Sequence, residues 1–208
     1  AGIDLSVGSL MALAAVVTAT MIQSYLGNEN ASAFGVALAF LVAMGVCALA
    51  GVFAGVIVTL FKVPPFVVTL GLMMVARGMS YILAGGADAV KIEADSIGAL
   101  YSSSVFGVPS QIVLMVVLFV AAHIVMNHTA FGRYVYAVGG NETAARLSGV
   151  PVVGVLIAVY AICGLAAGLA GVLDGYVQLQ IVFEIPQSDG GLDAELGILV
   201  GLGDINNQ

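Results

Sequence analysis

The sequence predicts an all-α fold, a polytopic transmembrane helical bundle of about five spans. Of its 208 residues, 61% are hydrophobic and only 8% are charged, where a soluble domain carries about 25% charged residues. The apolar residues fall in blocks near bilayer length rather than in amphipathic stripes. Those blocks are continuously apolar instead of alternating in ~10-residue strands, which favours helices, each satisfying its own backbone hydrogen bonds, over a barrel. Five basic against 12 acidic residues give a net charge of −7, leaving no basic face for nucleic acid. Partners are expected in the membrane and at its edges.

The blocks run Val7 to Ile22, Phe34 to Phe61, Phe66 to Ala84, Val108 to Met126 and Val152 to Leu173. The first is short for the ~30 Å hydrocarbon core at 1.5 Å per residue, and the second is long enough to tilt or overrun the interface. Asp4 and Ser6 stand just before the first block. There they suit capping at the positive end of a helix. A helix broken at membrane depth would instead make Asp4 line a wet cavity. Pro64-Pro65 after Lys62 breaks the chain into a tight turn between the second and third blocks. Arg77 is the one charge deep inside a block, so it is expected to face the bundle rather than lipid, as a structural partner or as a residue of the substrate path.

Orientation follows from the basic residues. In a five-span alternation Lys62, Arg133 and Arg146 share one side, predicted to be cytoplasmic; Lys91 stands alone on the other among most of the acidic residues. There Asp174, Glu184, Asp189, Asp193 and Glu195 are expected to form a solvated external loop. Glycine supplies 27 of 208 residues, almost twice the ~7% average. Gly51 with Gly55, and Gly164 with Gly168, form G-x-x-x-G faces that suit close helix packing. Cys47 and Cys163 lie in apolar runs and read as small buried residues. His123 and His128 are five apart, diverging on a helix with no third ligand near, so no metal site is expected. The chain opens without an initiator Met or basic n-region, and the apolar stretch from Gly197 stops by Asp204. A fragment at both ends is therefore expected.

Residues 127–151 form the most informative loop. Asn141 suits an N-cap, Glu142 the positive end of a short helix, and Gly149 with Pro151 its stop. About two turns of helix are predicted, with Ala144, Ala145 and Leu147 as a small apolar face able to enter a groove on a partner, or else as a plain surface turn.

Three separated motifs, in order, carry a resemblance. They are Gly2-Ile3-Asp4-Leu5-Ser6-Val7-Gly8-Ser9, Pro65 through Gly78 to Gly85-Gly86, and Phe131 to Gly149. Over residues 1 to about 196 the chain resembles the sugar-type permeases of ATP-binding-cassette importers, the ribose, xylose and galactose permeases among them. It departs after Leu192-Asp193-Ala194-Glu195-Leu196, where that family continues into further spans.

The resemblance implies a single permease domain, here partial, in a bacterial inner membrane. It also implies a second permease subunit, an ATPase subunit docked through Asn141, Glu142, Ala144, Ala145, Arg146, Leu147, Ser148 and Gly149, and a periplasmic or lipid-anchored sugar-binding protein. Asp4, Ser6 and Arg77 are the candidates for the translocation path. No catalytic residue and no cofactor is expected in the chain. It holds no G-x-x-x-x-G-K-[ST] phosphate loop, so ATP and magnesium belong to the partner. The alternatives are a branched-chain amino-acid permease, an intramembrane enzyme using Asp4, His123 or the acidic loop, and a structural membrane module. In a background lacking Cys47 and Cys163, Ser103→Cys and Ser188→Cys should label from outside with an impermeant thiol reagent and Ser148→Cys should not; the reverse pattern overturns the orientation.

Overall fold

The structure is a computed structural model that describes residues 2–25, 32–84, 104–105 and 108–184. Among these described residues the helices are α1 (Val7–Tyr25), α2 (Ala33–Phe61), α3 (Pro65–Leu83), α4 (Ser110–His128), α5 (Ala130–Gly140), α6 (Glu142–Leu147) and α7 (Val152–Glu184). Ahead of α4, Ser104–Val105 (β1) and Val108–Pro109 (β2) form a two-residue antiparallel ladder, Ser104 opposite Pro109. Residues from Val177 onward cluster as a separate unit, described only by the helical backbone that ends at Glu184.

Among the described residues four helices are long and apolar enough to cross a membrane, over Val7–Ser24, Phe34–Phe61, Pro65–Leu83 and Val152–Leu173; the pair α4 and α5, bent by 74°, makes a fifth if it counts as one span. Local chemistry sets the breaks. The Ser32 hydroxyl accepts from Gly35 N at 3.2 Å and caps α2. At the other end of α2, Lys62 takes a left-handed conformation (φ 51) and Pro65, at the first turn of α3, needs no hydrogen-bond acceptor there.

Lipid supplies no hydrophobic drive between helices, so their association rests on close packing. The two glycine faces meet each other within the chain. Gly51 lies against the Tyr160 backbone and Gly55 against Ile157, while Gly164 lies against the Cys47 backbone and Gly168 against Met44. The pairing is antiparallel, and each glycine sits where a Cβ would strike the opposite helix. Gly171 brings α7 onto Met11 of α1 in the same way. The core beside this seam holds Leu10, Leu13, Ala14, Ala43, Cys47, Ala76, Ala167 and Val172.

Several expectations need correction. Residues 130–140, read as loop, are the helix α5, because Thr129 ends one helix and caps the next. The helix that begins at Val152 continues past Leu173, carrying Asp174 and Glu184 on helical backbone rather than in a loop; Asp189, Asp193 and Glu195 lie outside the described residues, as does most of 85–107. The rings of His123 and His128 approach to 6.3 Å instead of diverging. His128 is the last residue of α4, and the next residue leaves the helical conformation. His123 Nδ1 is engaged by the Asn127 amide at 3.1 Å.

Gly51 and Gly45 share α2 but differ in surroundings: Gly45 has open space where a Cβ would project. Gly51→Ala should therefore lower the unfolding midpoint in detergent, at a cost of about 1–3 kcal/mol from overpacking. Gly45→Ala should be neutral or stabilising by up to about 1 kcal/mol. Equal effects at the two positions would show that the seam is not tight.

Candidate functional site

Among the described residues two polar constellations stand out, one at the start of α1 and one at the end of the bundle. The first lies on the non-helical segment from Gly2 to Ser6. Ser6 is the first residue whose carbonyl enters the α1 ladder, accepting from Leu10 N at 2.9 Å. Asp4 Oδ1 accepts from Ser6 N at 2.9 Å and from Ser6 Oγ at 2.6 Å. Asp4 thus holds the start of α1 from two residues upstream, and the Ser6 side chain is buried. Ser9, also buried, donates its hydroxyl to the Ser6 carbonyl at 2.8 Å.

The segment leading into α1 packs on α3 and α7, with Gly2 against Pro65 and the Tyr160 hydroxyl. Tyr160 and Cys163 of α7 stand near Asp4. Those residues lie roughly 12 to 16 Å along α7 from its first residue, at 1.5 Å rise each. Nearby, Cys47, midway along α2, donates its thiol to the Leu10 carbonyl at 3.3 Å. From α3, Thr69 donates to the Ile3 carbonyl at 3.3 Å, satisfying backbone that has no helix of its own. The positive end of α1 thus meets a carboxylate from the segment just upstream, in the manner of a helix N-terminal cap. Asp4 therefore caps α1 while only partly covered. Tyr160 and Cys163 escaped the sequence reading. The available signal was Tyr160, a phenol inside an apolar run, which seeks a polar neighbour when buried.

Arg77 departs from expectation. It is exposed, and no ion pair joins it to Asp4 among the described residues. The inner face of α3 is set by Thr69, Ala76 and Ser80, and one residue beyond Ala76 the helix has turned about 100° away. The sequence located the depth of Arg77 but not its azimuth.

The second constellation is the relay of short helices. Thr129 Oγ1 donates to Val125 O at 2.6 Å, closing α4, and accepts from Gly132 N at 3.4 Å, opening α5. Gly132 lies so near the Met126 backbone that a Cβ would overlap it, 2.7 Å from Met126 Cα. Asn141 repeats the device: its N–H caps Ala137 O at 3.1 Å while its side-chain oxygen accepts from Ala144 N at 3.0 Å. At the far end of α6, Gly149 N bonds Arg146 O at 3.1 Å and Val150 N bonds Ala145 O at 3.0 Å. With Gly149 at φ 80 this is a Schellman stop. Ser148 is the C-cap residue. The Glu142 carboxylate pairs with Arg146 at 2.9 Å.

The faces of α6 differ from expectation at one residue. Leu147 is 85% exposed, and Ala144 is exposed too, but Ala145 is 5% exposed and faces inward. The outward surface is therefore Leu147 with Ala144. On its other side α6 borders a cavity of about 640 Å³ shared with the Lys62 to Pro65 turn, Val153 and Tyr160. Lys62 and Arg146 consequently lie at one end of the bundle, as the alternation of spans requires.

A capped helix start and a doubly capped end-helix, on glycine-packed helices long and apolar enough to cross a membrane, define a polytopic transmembrane helical protein. Comparison with known proteins identifies the kind. Residues 1–200 match the family described as "Branched-chain amino acid transport system / permease component", and the chain belongs to that family. It is 40% identical over 176 residues to the ribose import permease protein of Escherichia coli K12, covering 83% of this chain and 52% of that protein. The L-arabinose transport system permease protein of the same strain is 39% identical over 171 residues, covering 82% and 49%. The fructose import permease protein of Rhizobium meliloti is 36% identical over 178 residues, covering 82% and 48%. The chain spans about half the length of these curated relatives. No solved structure matches it significantly.

Asp4→Ala should strand the Ser6 N–H and its buried hydroxyl, costing about 1–3 kcal/mol, while Asp4→Asn, which keeps an acceptor oxygen, should cost less. Thermal unfolding in detergent checks this, and equal midpoints for wild type and Asp4→Ala would remove Asp4 from the helix start.

Proposed function

We propose that the chain is the membrane-spanning part of a permease subunit in an ATP-binding-cassette importer of the bacterial inner membrane, moving a simple sugar, a pentose, hexose or related polyol, by alternating access. The observation that carries the reading is α6: capped at both ends, with Leu147 and Ala144 outward, at the end of the bundle that gathers Lys62 and Arg146. The sugar permeases among its relatives supply the cargo class. A second permease subunit completes the pore, an ATPase subunit holding ATP and magnesium docks on α6, and a periplasmic or lipid-anchored binding protein delivers sugar. Asp4 and Ser6 border the path, where a carboxylate and hydroxyls suit sugar hydroxyl groups. Arg77 belongs to the path only if another subunit or span covers its exposed face.

The family description favours one other cargo, a branched-chain amino acid. Uptake of labelled ribose, unaffected by excess leucine but competed by pentoses, supports sugar; competition by leucine supports the alternative.

Docking makes a sharper demand. In the assembled transporter, Leu147→Asp and Ala144→Arg should abolish sugar-stimulated ATP hydrolysis while leaving insertion intact, because each places a charge in a contact that must be dry. Ala145→Arg should instead damage the permease itself, since Ala145 is buried within it. Unchanged complex yield and unchanged hydrolysis for both outward variants would reject docking at α6.

A further inference from the structure

The cavity beside α6 has a composition that the transport cycle does not explain. It opens where α2 ends, α3 begins and α7 begins, at the level where spans leave the hydrocarbon. Its lining divides in two. Val58, Pro65 and Leu156 are apolar, and Lys62, Thr143 and Arg146 carry hydrogen-bond donors. Glu142 also borders it, already paired with Arg146. The ionised side chains on the lining itself, Lys62, Arg146 and Glu142, carry formal charges that sum to +1, with Lys62 outside the ion pair; Asp4 stands near Tyr160 of the lining but does not itself line the cavity. Its left-handed backbone sets it apart from the helical geometry of α2, at the mouth of the cavity.

We propose that this cavity binds the phosphate group of an anionic glycerophospholipid, with Lys62 as the principal cation, Thr143 as an added donor and the apolar wall covering the first acyl carbons. A phosphodiester of charge −1 balances the site. A zwitterionic headgroup does not, because its ammonium finds no free carboxylate on this lining, Glu142 being held by Arg146. Volume favours a lipid over free phosphate: about 640 Å³ is the size of a small-molecule pocket, much more than one phosphate fills. Because Arg146 and Thr143 belong to α6, the lipid would touch the helix that meets the ATPase. The proposal does not depend on which cargo is carried.

The test uses the assembled transporter, delipidated in mild detergent and offered phosphatidylglycerol, phosphatidylcholine or inorganic phosphate, with bound species read by native mass spectrometry. Phosphatidylglycerol should be retained over phosphatidylcholine by roughly fivefold, the effect of one basic residue near the headgroup. Lys62→Gln should bring that ratio to near one, and Lys62→Arg should keep it. Excess inorganic phosphate should not displace the lipid. Equal retention of the two lipids, or a Lys62→Gln variant of unchanged elution profile that still prefers phosphatidylglycerol, overturns the proposal. Displacement by inorganic phosphate assigns the cavity to the free anion and rejects the lipid.

Discussion

Everything in this molecule depends on how closely α2 and α7 approach. In water a helix pair is driven together by burying apolar surface, but in lipid the tails are as apolar as the side chains, and only contact quality distinguishes the packed state. Glycines on both partners let backbone meet backbone over about three turns. That seam fixes the position of Tyr160 and Cys163, two residues on the same stretch of α7, and through them the surroundings of Asp4. It also holds the start of α7 against the Lys62 turn, so both constellations inherit their geometry from one interface.

How much of this was legible follows from the range of each interaction. Asn141, Gly149 and Pro64-Pro65 act on backbone within a few residues, and they end or begin helices where the sequence places them. The two G-x-x-x-G faces were visible as packing surfaces, but nothing local says that each is the other's partner more than a hundred residues away. Arg77 and Ala145 show the same gap: their positions along a helix are fixed by counting, whereas the side they face is decided by what packs there. Helix α5 hid for a different reason. Its sequence, Ala130 to Gly140, holds three glycines and reads as loop by propensity, yet Gly132 is needed for the sharp approach to Met126.

The start of α1 joins these scales. A non-helical segment packed on a bundle needs partners for its peptide groups, and here Asp4, Thr69 and the Ser6 turn supply them. A carboxylate that serves as structural cap also stands as fixed negative charge beside Tyr160, so stability and any chemistry at this site share one residue. Asp4 could not be altered for one role without touching the other.

Helix α5 has a mechanical meaning. Its 11 residues make a rod about 16 Å long, with a single non-helical residue at each end, Thr129 and Asn141. Such a rod is a crank. A swing of about 10° at Thr129 carries α6 through roughly 3 Å, on the scale of the element shifts through which proteins switch. Gly132, wedged on Met126, seats the inner end of the rod on α4. Displacement applied at α6 would then leave the crank as torque on α4, instead of being absorbed where the rod begins.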